Sequence, residues 1–171
     1  PPDPPAVLRA VPFDAAVLDA GALARIGGSC ARLAAALVAH DAVATAREVR
    51  ALVGNGPGST PSGDDALAGL LTVLERAGRE RPRARLAAAV SSNLERTTLL
   101  GAHYLRLACD GHAGEHLLAV VDAALGGVLV PADERIATVR DTGATSGADA
   151  LVGVAAGLAV VTTPGTGRCA A

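Results

Sequence analysis

One short pattern occurs twice in this chain. Residues 62–71 read SGDDALAGLL, and residues 146–155 read SGADALVGVA. Ser62 aligns with Ser146, Gly63 with Gly147, Asp65 with Asp149, Leu67 with Leu151 and Gly69 with Gly153, always 84 residues apart. Each copy follows a loop that contains threonine and glycine. The apolar spacing after each aspartate is helical. A serine followed three residues later by an aspartate suits a helix N-terminus in the manner of a capping box, although Asp stands where Glu or Gln is favoured. The later glycine leaves room for another backbone. The pattern predicts two related glycine loops, each feeding a capped helix. A pseudo-symmetric pair of such helix starts points at one cleft, where free amides favour an anion.

The rest of the chain supports a mainly α fold. Its 171 residues suit one domain of ordinary size, and half of them are apolar. One Phe, one Tyr and no Trp or Met leave Ala, Leu and Val to build the core. Small side chains and good helix formers favour closely packed helices. The net charge is −2, and all fifteen basic residues are Arg. No basic excess or aromatic interleaving marks a nucleic-acid surface. Three cysteines, Cys30, Cys109 and Cys169, form neither a disulfide framework nor a CxxC site. The longest apolar run, residues 151–161, is too short to span a bilayer. The expectation is a reduced cytoplasmic protein with no membrane and no nucleic-acid partner.

Along the chain we expect a Pro-rich stub at 1–12, a helical domain over 13–162 and a loose tail at 163–171. Helices are expected within 14–26, over 29–40 with Ser29 as a cap, and over 41–53 capped by Asp41. Further helices are expected at 63–77, from Pro82 to about 95, at 97–109 and 113–125, from Pro131 to 140, and at 148–161. GGVLV at 126–130 stays open between a loop and a short strand.

The stretch GNGPGSTPSGDDALAGLL, residues 54–71, resembles a longer signature, Gly-x-Gly-Pro-Gly-x-Thr-Pro-Ser-Gly-Asp-Asp-x-x-x-Gly. GATSGADALVG, residues 143–153, resembles its second block, and TTLLGAHYLRLACDGHAGEHL between them resembles its Thr-Thr segment. These are marks of a bacterial AllH-like family. It was catalogued as a domain of unknown function and is associated with a subunit of oxamate carbamoyltransferase from allantoin degradation. The resemblance spans roughly 45–160. Two departures stand out: members usually carry a longer N-terminal region than the Pro-rich stub here, and Gly101 stands where a Ser is expected.

The resemblance implies transfer of a carbamoyl group between phosphate and a small amide acid such as oxamate. Its alternative is a non-catalytic binding or scaffold subunit of a multi-chain complex. It implies a small anionic substrate like carbamoyl phosphate, further protein subunits and an oligomer. Gly56, Gly58, Ser59, Thr60, Ser62 and Gly63 are then candidates to cradle the phosphate, with Thr145, Ser146 and Gly147 as a second wall. Asp64, Asp65 and Asp149 would orient the amino group or hold a metal such as Mg²⁺. Arg140 would pair with a carboxylate.

Other signals are weaker. His112-Ala-Gly-Glu-His116 matches an H-x-x-E-H spacing, but glycines flank and interrupt it. It reads as surface histidines with Glu115 at a helix N-terminus. Tyr104, beside His103, reads as a core residue. His40 falls at a helix end. RAGRERPRAR, residues 76–85, reads as a solvated linker, and Cys30 and Cys109 as small buried residues.

Overall fold

The computed structural model describes residues 18–127 and 134–163. These form eight helices and one 3₁₀ turn, with no strand among the described residues. In chain order they are α1 (Ala20–Val38), α2 (Ala42–Leu52), α3 (Ser62–Arg76), α4 (Glu80–Ser91), α5 (Leu99–Cys109), α6 (Glu115–Leu125), α7 (Glu134–Arg140) and α8 (Ser146–Thr162). The 3₁₀ turn, Leu94–Arg96, lies between α4 and α5. The ambiguous residues 128–130, Pro131, the 1–12 stub and all but the first residue of the tail lie outside the described residues.

Helix α8 is the centre. Every residue from Gly147 to Val160 is buried. A helix that is apolar all round has no solvent face and must be enclosed. It crosses α3, which buries eleven of its residues, and the two share the largest helix contact of the fold. The crossing is reciprocal. A Cβ on Gly69 would lie 2.2 Å from the Ala150 carbonyl oxygen, and one on Gly153 would lie 1.9 Å from that of Ala66. Ala66 and Ala150 are themselves 84 residues apart, so the sequence repeat is a pseudo-twofold contact in space. The backbones approach so closely that only glycine fits.

Around this pair, α1 and α7 cover α8, α5 packs on α3, and α2 packs on α1 and α4. A shared apolar core runs from Leu18 through Leu67, Leu74 and Leu105 to Leu151 and Val160. Asp41 caps α2 by accepting the Ala44 N–H at 2.9 Å, and Pro82 falls in the first turn of α4. Helix α1 is long and apolar enough by composition to cross a membrane, but about half of it is buried in this core.

Two expectations change here. The helices at 14–26 and 29–40 are one helix from Ala20, with a π turn at Leu23–Gly27. Gly27 and Gly28 keep helical dihedrals while Ile26 and Cys30 bury on the core side, so packing overrides glycine's poor propensity. Ser29 therefore caps nothing; its hydroxyl accepts from Arg32 at 3.0 Å. The basic run is largely exposed but is no linker either, since it spans the end of α3 and the start of α4. Arg76 forks onto Asp122 at 2.7 and 3.0 Å, Arg83 meets Glu75 and the Cys109 carbonyl, and Arg79 donates to the Val161 carbonyl. Its guanidinium groups tie the turn before α4 to three other parts of the fold.

Candidate functional site

The two helix starts are built differently from the expected capping box. The N-cap of α3 is Pro61 and that of α8 is Thr145, and neither makes a side-chain cap bond. Each helix begins one residue too early for its serine to cap. The loops close on the glycines instead: Gly63 donates its N–H to the Asn55 carbonyl at 2.8 Å, and Gly147 to that of Thr142 at 3.0 Å. A Cβ on Gly63 would strike the Leu52 carbonyl oxygen, and one on Gly147 that of Val139. Ser62 is buried at this junction. Ser146 is freed to reach across to the first copy, where its hydroxyl pairs with that of Thr60 at 2.9 Å.

The three aspartates have three fates. Asp64 turns back into its own loop, accepting the Gly54 N–H at 2.8 Å on Oδ1 and the Thr97 hydroxyl on Oδ2. Burial raises its pKa, and these two hydrogen bonds oppose the rise. Asp149 is fully buried and accepts Arg25 from α1 at 2.9 Å. Asp65 faces the cleft. Burial pushes its pKa up to about 7; hydroxyl bonds from Ser146 and Thr60 oppose this, and the nearby Asp149 and Asp64 add to it. The Oδ2 atoms of both Asp65 and Asp149 are buried with no hydrogen-bond partner. Buried acceptors are seldom left unpaired.

The cleft measures about 660 Å³. One side is the paired helix starts, with Ser59, Thr60, Asp65, Thr142, Gly143, Ser146 and Gly147. The other is α5 and the start of α6, with Leu100, Tyr104, Leu107, His112, Gly114, His116 and Leu117. Thr72 and Ala150 are also part of its lining.

Of the residues read from sequence, the structure brings Ser59, Thr60, Asp65, Ser146 and Gly147 into this lining. Gly56, Gly58, Ser62, Gly63 and Thr145 shape the loops behind it. Gly56, at φ 119°, turns the loop so tightly that a Cβ would lie 2.7 Å from the Ser62 nitrogen. Arg140 packs its backbone on Gly147, while its side chain is exposed and outside the lining. Tyr104 is not a core residue: it is 50% exposed on the cleft wall, its ring centroid 5.8 Å from that of His103. Helical periodicity put it among apolar residues, and the open side of α5 was invisible in that pattern. His112 and His116 are exposed, as expected, but both face the cleft. Sequence reasoning missed Arg25 altogether, since no local signal ties it to Asp149.

Among the described residues, no three His, Cys, Asp or Glu side chains form a set able to hold a metal ion. Asp64 and Asp149 are spent on Gly54, Thr97 and Arg25. Among the described residues this leaves Asp65 as the one carboxylate of the cleft lining, which does not fit a protein-held Mg²⁺ site. Cys30 is no nucleophile either, because burial first, and Asp149 second, push its pKa up to about 12. What remains is a polar shelf of hydroxyls and loop amides with one carboxyl able to change protonation near neutral pH, facing an aromatic and imidazole wall.

A family model described as oxamate carbamoyltransferase subunit AllH matches residues 52–158. The chain belongs to this family. The AllH match opens at the last residue of α2 and runs through most of α8. It takes in both glycine loops, the crossing and the whole cleft, and leaves out α1 with Arg25. No solved structure matches the chain.

Proposed function

We propose that the cleft binds a carbamoyl donor and a small amide acid and transfers the carbamoyl group between phosphate and the amide nitrogen. The carrying observation is that Asp65 of one motif copy and Ser146 of the other meet at the cleft floor beside Thr60. In the forward direction the oxamate nitrogen attacks the carbamoyl carbon, the bond to the phosphate oxygen breaks and phosphate leaves. The attacking nitrogen gives up one proton. Asp65, with a pKa of about 7, is a base matched to that transfer. The Ser59 and Thr60 hydroxyls and neighbouring loop amides suit the charge that builds on oxygen. The AllH family description supports the substrate class. Cytoplasmic catabolism of an allantoin type is the setting this reading implies, with a helical domain over 13–162 acting beside other subunits.

One observation favours the second reading, a binding subunit that reacts only with partner chains. Among the described residues the cleft lining contains no arginine. A carbamoyl phosphate dianion would meet hydroxyls, backbone amides and two histidines there, but no permanent cation among the described residues, and the opposing charge of Asp65. A partner chain would then supply the cation.

The test is calorimetric binding of carbamoyl phosphate, followed by an oxalurate-formation assay, on the full chain and on Asp65→Asn. Turnover by the chain alone, reduced about a hundredfold or more in Asp65→Asn, supports the catalytic reading. Turnover that needs partner subunits and survives Asp65→Asn supports the second.

A further inference from the structure

Asp64 stands next to the cleft carboxylate but points the other way, and its partners form a closed device. Its Oδ1 takes the N–H of Gly54, the first residue of the glycine loop. Its Oδ2 takes the hydroxyl of Thr97, which precedes α5. The neighbouring Thr98 accepts the Gly101 N–H at 2.9 Å as the cap of α5, and donates its own hydroxyl to the carbonyl of Ser59, farther along the same loop. The loop is therefore held near both ends by one Thr-Thr pair. Gly54 is also pressed on this segment: a Cβ there would lie 2.3 Å from the Arg96 carbonyl oxygen.

Gly101 is the space in which the device closes. A Cβ at that position would lie 2.3 Å from Asp64 Oδ2, 2.7 Å from Thr97 Oγ1 and 3.1 Å from Thr98 Oγ1. A side chain at 101 would separate the three groups that make the bonds. The second motif copy has no equivalent, because Ala148 stands where Asp64 does and the loop before it is shorter.

We propose that Thr97 and Thr98 are positioning residues that latch the glycine loop through the Asp64 carboxylate and the Ser59 carbonyl, with Gly101 as the gap that lets the latch close. The latch acts on ligand through the loop: it presents the Ser59 and Thr60 side chains to the cleft. Its role for the carbamoyl donor rests on the reading given under Proposed function. The latch itself is testable without ligand.

The experiment compares Thr97→Val, Thr97→Ser and Gly101→Ala in the full chain. Two quantities are read: amide hydrogen exchange at Gly54 without ligand, and calorimetric affinity for carbamoyl phosphate. Valine keeps the shape and removes the donor, whereas serine keeps the donor. Thr97→Val and Gly101→Ala are expected to speed Gly54 exchange about tenfold and to weaken carbamoyl phosphate binding by a similar factor. Thr97→Ser should keep both within about twofold of wild type. Gly54 exchange that stays at the wild-type rate in Thr97→Val overturns the latch, as does a serine variant that loses as much as valine. Should Thr97→Val fail to fold, Gly101→Ala, which leaves both threonines in place, decides the matter by the same exchange rate. A latch confirmed by exchange in a chain that shows no carbamoyl phosphate binding would refute the positioning role and the carbamoyl reading, and leave the latch standing.

Discussion

The two copies of the Ser-Gly-x-Asp pattern start their helices alike and then do opposite things with their aspartates. Asp149 is sealed against solvent and paired with Arg25, 124 residues earlier in the chain. Asp65 has no cation beside it among the described residues; it lies at the cleft with hydroxyl partners and a raised pKa. The first copy adds Asp64 and a long latched loop, while the second has Ala148 and a short one. One copy holds its aspartate in a fixed ion pair, and the other holds its aspartate at the cleft with a pKa near neutral. The lesson is that a repeated backbone frame carries no commitment to a repeated function, because the partner supplied from elsewhere decides what a carboxylate does.

The frame itself should break symmetrically and with the largest effect. Gly153→Ala and Gly69→Ala each force a Cβ into a backbone carbonyl of the facing helix. Each is expected to destabilise the fold by about 3 kcal/mol or more in chemical denaturation. A glycine that tolerates alanine while its mate does not would show that the pseudo-twofold is geometric only.

Removing the fixed cation sharpens the contrast next. Arg25→Ala leaves Asp149 buried without a counter-charge, which is expected to cost about 2 kcal/mol, below the value for a fully buried pair because the arginine is partly solvated. Asp149→Asn on the Arg25→Ala background should recover part of that loss. No recovery would mean that Arg25 matters through its packed stem.

Asp65 predicts a pH signature. Its folded pKa is raised to about 7, so the neutral acid is the form that folding favours. Its contribution is fully present below the unfolded value of about 4 and is lost as pH rises through about 7. Asp64, also raised, acts in the same direction. Stability of the wild type should therefore fall between about pH 4 and pH 7. Asp65→Asn should flatten that slope and exceed the wild type at pH 8 by about 1 kcal/mol. An unchanged slope in Asp65→Asn would assign the pH dependence to other groups.

The smallest effect tests the Ser146 hydroxyl, which reaches from the second copy to Thr60 and Asp65 of the first. Ser146→Ala removes the partner of the Thr60 hydroxyl and is expected to cost about 0.5–1 kcal/mol in stability. Its effect on carbamoyl phosphate affinity should be larger than that of Ser62→Ala, which lies behind the lining.

Much of the fold was legible because helix signals are local. Asp41, Pro82 and Asp110-Gly111 sit at helix edges where their backbone chemistry places them, and α2 to α6 and α8 fall within a few residues of the expected spans. The failures were non-local. Gly27 and Gly28 looked like a break, yet the core face around them kept α1 continuous. Tyr104 looked buried because its neighbours are apolar, yet that side of α5 is left open to form the cleft wall. Ser62 and Ser146 looked like caps because the motif carries a cap's spacing, yet loop carbonyls took the glycine amides instead.

By itself the sequence determined that this chain is helical, that two glycine loops feed two related helices, and that each of those helices leaves room for another backbone. Periodicity, turn chemistry and missing side chains act over a few residues and can be read along the chain. Only the tertiary structure decided which aspartate pairs with an arginine, which turns back to its own loop and which faces the cleft. Asp64, Asp65 and Asp149 are the same residue type in nearly the same local sequence. Their charge states and directions depend on Thr97, Ser146 and Arg25, groups that the α3–α8 crossing and the helices around it bring within reach.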